Sequence, residues 1–235
     1  MWWITEYEAV TLFSLKMSSA TASGGKTLLT PTPYALKMAL LDIACRLFGA
    51  EEAEARWPQI RDLQVALSPP KWAVVTNLFQ KVLRPRRNAI PFDQPEAGPF
   101  QKTIGYREYA FLDGAMGVAL SGNEHLPWLA DLLLNINYLG KRGGFMQLLH
   151  PPKIADTLPD GYTLLTTGWE GDFPLGTLQI VDDCASSLTF DKANVYSGKS
   201  IRMGRERITH PVILPYRPVK SSRSFTLYQR VEDRG

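Results

Sequence analysis

The sequence predicts an α+β fold of the ferredoxin-like kind, and three observations predict it. Two stretches with helical spacing, 32–49 and 126–140, each lie between strand-like stretches. Between them, residues 83–102 change in composition to Pro, Arg, Asn, Asp and Gly. Beyond residue 155 only short strand-like segments follow, separated by Pro and Gly. The expected organisation is therefore a palm over residues 1–155, with an arm or thumb at about 83–102, and a β-rich part over 156–235 packed on it.

Taken in order, residues 3–17 alternate around Ile4, Val10, Leu12 and Leu15 and read as an opening strand. Residues 18–30 are small and polar, a long loop. Thr32 caps a helix with Pro33 in its first position, and Leu36, Ala39, Leu40, Ile43, Leu47 and Phe48 line its apolar face before Gly49 closes it. Residues 51–63 are helical in composition, with Pro58 bending or shortening the segment. Residues 71–82 form a β-branched strand; 83–102 read as a long loop or a protruding hairpin arm. Residues 103–120 return to strand character, with a turn or bulge at Asp113 and Gly114.

The second helix places Leu126, Leu129, Ala130, Leu133, Ile136 and Leu139 on one face. Asn123 is its expected cap and Gly140 its end. Lys141, Arg142, Gly143, Gly144 and Phe145 then turn into a strand. In the tail, 162–167, 177–181, 187–190, 212–219 and 224–231 are the strand candidates.

Composition excludes some classes. With 45% hydrophobic and 21% charged residues the chain is ordinarily globular. A formal charge of +3 makes no bulk case for nucleic acid, but the basic residues cluster between Lys81 and Arg107, opposite in sign to the acidic run 51–54. Two isolated cysteines, Cys45 and Cys184, form neither a disulfide framework nor a zinc motif. The start of the chain lacks the basic and apolar runs of a signal peptide, and no apolar run has membrane-spanning length, so a soluble cytoplasmic protein without a membrane partner is expected.

The motifs divide on their context. Residues 20–27 (ATASGGKT) fit a relaxed phosphate-binding loop, which requires a helix directly after the lysine. LeuLeuThrProThrPro follows instead, so Lys26 is read as a loop residue able to touch RNA. His125, His150 and His210 share no ligand spacing and are placed in loops. Asp182, Asp183 and Asp191 read as a turn between strands rather than a metal site. The arm carries Arg84, Arg86, Arg87 and Lys102 among Phe79, Phe92, Phe100 and Tyr106. Bases stack on such rings, though the same residues also read as a solvated loop. Glycines beside Lys141 and Arg142 suit close approach to a phosphate, and equally an ordinary helix-ending turn.

Three stretches together resemble one family. Residues 30–40 (TPTPYALKMAL) look like the proline-led first helix of the CRISPR-associated Cas-five family of the RAMP superfamily. Residues 106–120 (YREYAFLDGAMGVAL) resemble its R-E-Y-containing strand, and 137–145 (NYLGKRGGF) its Y-L-G-R-R turn, in the family's order. The chain departs from the pattern at Phe111 and Leu112, at Met116, and at Gly143 and Gly144.

The resemblance implies a ferredoxin-like, RNA-recognition-motif palm with a protruding β-hairpin thumb. It also implies a non-catalytic subunit of a type I surveillance (Cascade) complex, needing no cofactor or metal. Such a subunit caps the 5′ handle of the crRNA, contacts the backbone (Cas7-type) and large (Cas8-type) subunits, and lies near target DNA. The alternative is a metal-independent endoribonuclease that processes repeat RNA. The RNA-binding residues expected are Lys26, Arg84, Arg86, Arg87, Lys102, Tyr106, Arg107, Lys141, Arg142, Gly143, Gly144 and Phe145, with Arg202, Arg205 and Arg207 in the tail.

Overall fold

A computed structural model describes residues 1–17, 25–95, 97–140, 143–167 and 175–231. Lys141 and Arg142 lie outside the described residues, as does most of the 20–27 stretch.

The palm is an α+β unit built on an antiparallel sheet. Its strands are β1 (Trp2–Ala9), β2 (Gln64–Ser68), β5 (Ala115–Ser121), β6 (Met146–Ala155) and β7 (Thr163–Leu164), in the order β6-β1-β5-β2-β7. The first four reproduce the ferredoxin-like arrangement, in which the two central strands are first and third in palm order. Helices α1 (Pro33–Phe48) and α2 (Ala50–Arg61) connect β1 to β2, and the short α3 (Leu129–Leu134) connects β5 to β6.

Helix α1 forms as its sequence dictates. The Thr32 side chain accepts from the Ala35 N–H at 3.1 Å, Pro33 occupies the first position, and the Gly49 N–H donates to Cys45 O. Leu36, Leu40 and Ile43 are buried, whereas Leu47 in the last turn is exposed. Pro58 sits inside α2 without ending it. The core gathers these helices with Tyr7, Trp57, Val118, Leu120 and Leu133, and each large apolar side chain buried there contributes about 1.5–3 kcal/mol. The Trp57 indole N–H donates to Leu188 O at 2.8 Å, and the Tyr216 hydroxyl to Pro70 O at 2.7 Å, so these two large side chains are buried with their polar tips satisfied.

Inserted between β2 and β5 is a long hairpin of β3 (Trp72–Ile90) and β4 (Gly98–Asp113). Residues 83–102, open to either reading from sequence, form its distal half. Strands β10 (Tyr216–Ser221) and β11 (Phe225–Arg230) join its base in the order β10-β11-β3-β4, and β8 (Thr177–Cys184) pairs with β9 (Arg207–Leu214).

Several expectations are corrected. The opening strand ends at Ala9, and Phe13 and Lys16 make only isolated bridges, to Ala110 and Thr27. The second helix is six residues long and does not run to Gly140: Asn135 ends it, its side-chain amide donating back to Asp131 O at 2.8 Å. Ile136 and Leu139 remain buried, but in a turn. Residues 187–190 are not a strand; they lead into the one-turn α4 (Phe190–Ala193) and a 3-10 turn (Val195–Ser197). His150 and His210 lie in strands β6 and β9, not in loops.

Asp182 and Asp183 are in strand β8, not in a turn. Lys37 of α1 pairs with Asp183 and Arg207 of β9 pairs with Asp182, so each carboxylate is buried against a cation distant in sequence. Among the described residues no cluster of His, Cys, Asp or Glu could hold a metal ion, and no helix is long and apolar enough to cross a membrane.

Candidate nucleic-acid interface

The segment 10–17, which leaves the palm after β1, links three separate parts of the chain. The Val10 N–H donates to Phe145 O at 3.1 Å, and the Thr11 hydroxyl donates to Gly143 O while accepting from the Phe145 N–H. Phe13 exchanges backbone hydrogen bonds with Ala110 of β4 at 2.7 and 2.6 Å. The Leu15 N–H donates to the Thr27 hydroxyl, and the Leu28 N–H returns to Leu15 O at 2.8 Å. One extended segment thus fixes the glycine turn, the hairpin base and the Lys26 loop relative to one another.

At the glycine turn, the Leu139 N–H donates to Gly144 O at 2.9 Å and Tyr138 bridges Phe145. Gly140 and Gly143 hold φ of +75° and +103°, a region costly for other residues. A side chain at Gly140 would also meet Leu15 Cδ2 at 2.5 Å. Gly144 is buried and Phe145 is exposed.

At the hairpin base the Glu108 N–H donates to Gly25 O at 2.8 Å, and Glu108 Oε2 accepts from the Thr27 N–H at 3.0 Å. These bonds bring exposed Lys26 beside exposed Arg107. Glu108 Oε1 accepts from the Tyr106 hydroxyl at 2.6 Å, and that phenol is pushed up to about 12, first by desolvation and then by the Glu108 bond. Tyr106 accordingly stays protonated at neutral pH and acts as a ring and a donor.

Above Asn77, among the described residues, β3 pairs with β4 alone, and the ribbon projects from the palm. Cross-strand partners share a face. One face carries Phe79 opposite Tyr106, Lys81 opposite Ile104, Leu83 opposite Lys102, and Pro85 opposite Phe100. It continues the side that is buried lower down at Val75 and Ala110. Here, however, Phe79 is 67% exposed, Leu83 64%, Ile104 64% and Phe100 52%. The opposite face carries Arg107 and Arg84, opposite Leu78 and Gln101. Arg86 donates from Nε to Phe100 O at 3.0 Å, Arg87 is exposed near the tip, and Phe92 stands out at the turn.

The tail arginines are held differently. The buried carboxylate of Glu206 accepts from Lys192 Nζ at 2.6 Å and lies 3.5 Å from both Arg202 and Arg205. Arg207 pairs with Asp182 and lies 3.9 Å over the Tyr34 ring. It borders a cavity of about 720 Å³ that is also lined by Lys16, Tyr34, Met38, Tyr138 and Gly140. Expected residues therefore fall into a hairpin group, a base group with Lys26 and Arg107, a glycine-turn group with Gly143, Gly144 and Phe145, and a tail group in which the cations already have carboxylate partners.

Lys16, Lys81 and Thr11 were not among the residues expected. Lys81 had a signal, the period-two run Phe79, Lys81, Leu83; Thr11 and Lys16 had none, because their importance rests on where segment 10–17 runs. The histidines are separate: His125 stacks 5.9 Å from Trp3, His150 lies 3.8 Å from Glu6, and His210 pairs across from Val181.

No family model matches the chain, and no curated protein matches it. Among solved structures, a CRISPR protein from Archaeoglobus fulgidus aligns over 99% of this chain and 92% of its own, with a TM-score of 0.49 and 12% identity. A chain of a CRISPR RNA-guided surveillance complex aligns over 98% and 91%, with a TM-score of 0.49 and 14% identity. Likeness at this level leaves function to be argued from the residues.

Proposed function

We propose that this chain is a non-catalytic, cytoplasmic subunit of a CRISPR RNA-guided surveillance complex that binds and caps the 5′ handle of the crRNA. In that role it contacts the backbone and large subunits and lies near target DNA, with residues 1–155 as palm and thumb and 156–235 as the part packed on them. One observation carries the reading: the three stretches that resemble the Cas-five family converge around segment 10–17. Residues 137–145 reach it through Thr11 and Val10, and residues 106–120 through Phe13. Residues 30–40 share a cavity with Ser14, Leu15 and Met17 through Tyr34, Ala35, Met38 and Ala39. Motifs distant in sequence that meet on one side of a fold are what a shared ligand requires.

The chemistry near segment 10–17 suits an RNA end: Lys26 and Arg107 at the hairpin base and the arginines above them supply phosphate contacts. The test is a Lys141→Glu, Arg142→Glu variant, checked for an unchanged melting curve and titrated with repeat-derived RNA. Loss of binding with a weaker salt dependence is expected; binding at wild-type strength would remove the glycine turn from the interface.

A further inference from the structure

We infer that the exposed apolar face of the β3–β4 ribbon is a stacking platform for about four unpaired nucleotides of RNA, gripped without regard to base identity. This rests on the RNA-binding reading above and adds the form of the ligand: an extended single strand lying along the ribbon.

The face is a ladder of four cross-strand pairs. The outer two are aromatic: Phe79, whose ring centroid is 4.9 Å from that of Tyr106, and Phe100 beside Pro85. Each inner pair sets one lysine against one aliphatic residue, Lys81 with Ile104 and Leu83 with Lys102. Successive pairs on one face are two residues apart, a rise of roughly 7 Å. That is the span of one nucleotide in an unstacked strand. Bases laid on Phe79 and Phe100 would leave the intervening phosphates beside Lys81 and Lys102, which lie on opposite strands and so flank a backbone running along the ribbon.

Three physical points favour this occupant. A two-stranded ribbon with four large apolar side chains in water is marginal by itself, so its face calls for a cover. The charge of the segment 81–102 is positive, from Lys81, Arg84, Arg86, Arg87 and Lys102 against Asp93 and Glu96, which suits phosphate. Tyr106 is anchored by its hydroxyl to Glu108 and to Asn77 at 3.1 Å, so the Phe79 ring has a fixed backing and needs little ordering on binding. Duplex RNA is excluded by geometry, since its bases are paired inward and its major groove is too narrow for rings to enter. Sequence tolerance follows because every base offers a π-face.

The test uses the full-length protein and a fluorescent oligouridylate, single-stranded or annealed to oligoadenylate. Single-stranded RNA is expected to bind at least tenfold more tightly than the duplex. Phe79→Ala and Phe100→Ala should each weaken it roughly tenfold. Lys81→Gln and Lys102→Gln should each reduce the slope of log affinity against log salt by roughly 0.7. Phe79→Leu keeps an apolar side chain without a ring and should lose as much as Phe79→Ala, which separates stacking from ribbon folding; Phe79→Trp should retain binding. Wild-type affinity in the Phe79→Leu and Phe100→Ala variants would overturn the inference, as would equal binding of the duplex or a partner protein protecting these side chains in RNA-free complex. None of these outcomes touches the handle reading, which is tested at the glycine turn with repeat-derived RNA.

Discussion

Lys37 Nζ lies 2.7 Å from Asp183 Oδ1, with both side chains buried between helix α1 and strand β8. Asp183 also accepts from the Cys184 N–H at 2.7 Å. Burial outweighs the lysine and holds the Asp183 carboxyl above its ordinary range. The pair joins the first helix of the palm to the β-rich tail. Lys37→Ala or Asp183→Ala should each cost about 3–5 kcal/mol in urea unfolding, because each leaves a buried charge without its partner. Lys37→Met combined with Asp183→Leu should recover most of that loss.

Glu206 makes the opposite contribution to pH dependence. Its carboxyl is held down at about 2, first by the hydrogen bond from Lys192 and then by that from the Arg202 N–H. A depressed carboxylate stabilises the fold above its ordinary pKa of 4.5, and that stability is lost as pH falls from 4.5 towards 2. Asp183, raised from 3.8, contributes with the reverse sign just above that value. Lys192→Met should flatten the acid limb of a melting-temperature profile, while Asp183→Asn should not.

Gly140 is the position where the glycine turn is most constrained. Gly143→Ala meets open space and should cost only the positive-φ penalty, about 1–2 kcal/mol. Gly140→Ala carries the same penalty and also displaces Leu15. It should therefore destabilise more than Gly143→Ala in thermal unfolding, and less when introduced into Leu15→Ala. That cycle isolates the contact between the turn and segment 10–17.

What the sequence disclosed follows from how local each signal is. Helix α1 was readable to its cap because Thr32, Pro33, the apolar spacing and Gly49 all lie within the element. Strand β2 was not, because Val65, Ala66 and Leu67 are all buried, leaving no alternation to separate it from the end of α2. The second helix read too long because Ile136 and Leu139 keep helical spacing while packing from a turn. Asp182 and Asp183 read as a turn between strands, since their partners Lys37 and Arg207 are joined to them only by the tertiary fold. The basic arm was visible as composition; its division into an aromatic face with lysines and an opposite face with Arg84 and Arg107 depends on the strand register.

Capping one end of one RNA is a matter of affinity for that end, which fluorescence anisotropy measures with repeat-derived 5′-handle RNA, the same nucleotides shuffled, and the 3′ part of the repeat. The handle is expected to bind at least tenfold more tightly than either competitor at near-physiological salt, with the RNA intact afterwards. Equal affinity for all three RNAs, or no measurable binding of the handle, would contradict the capping role.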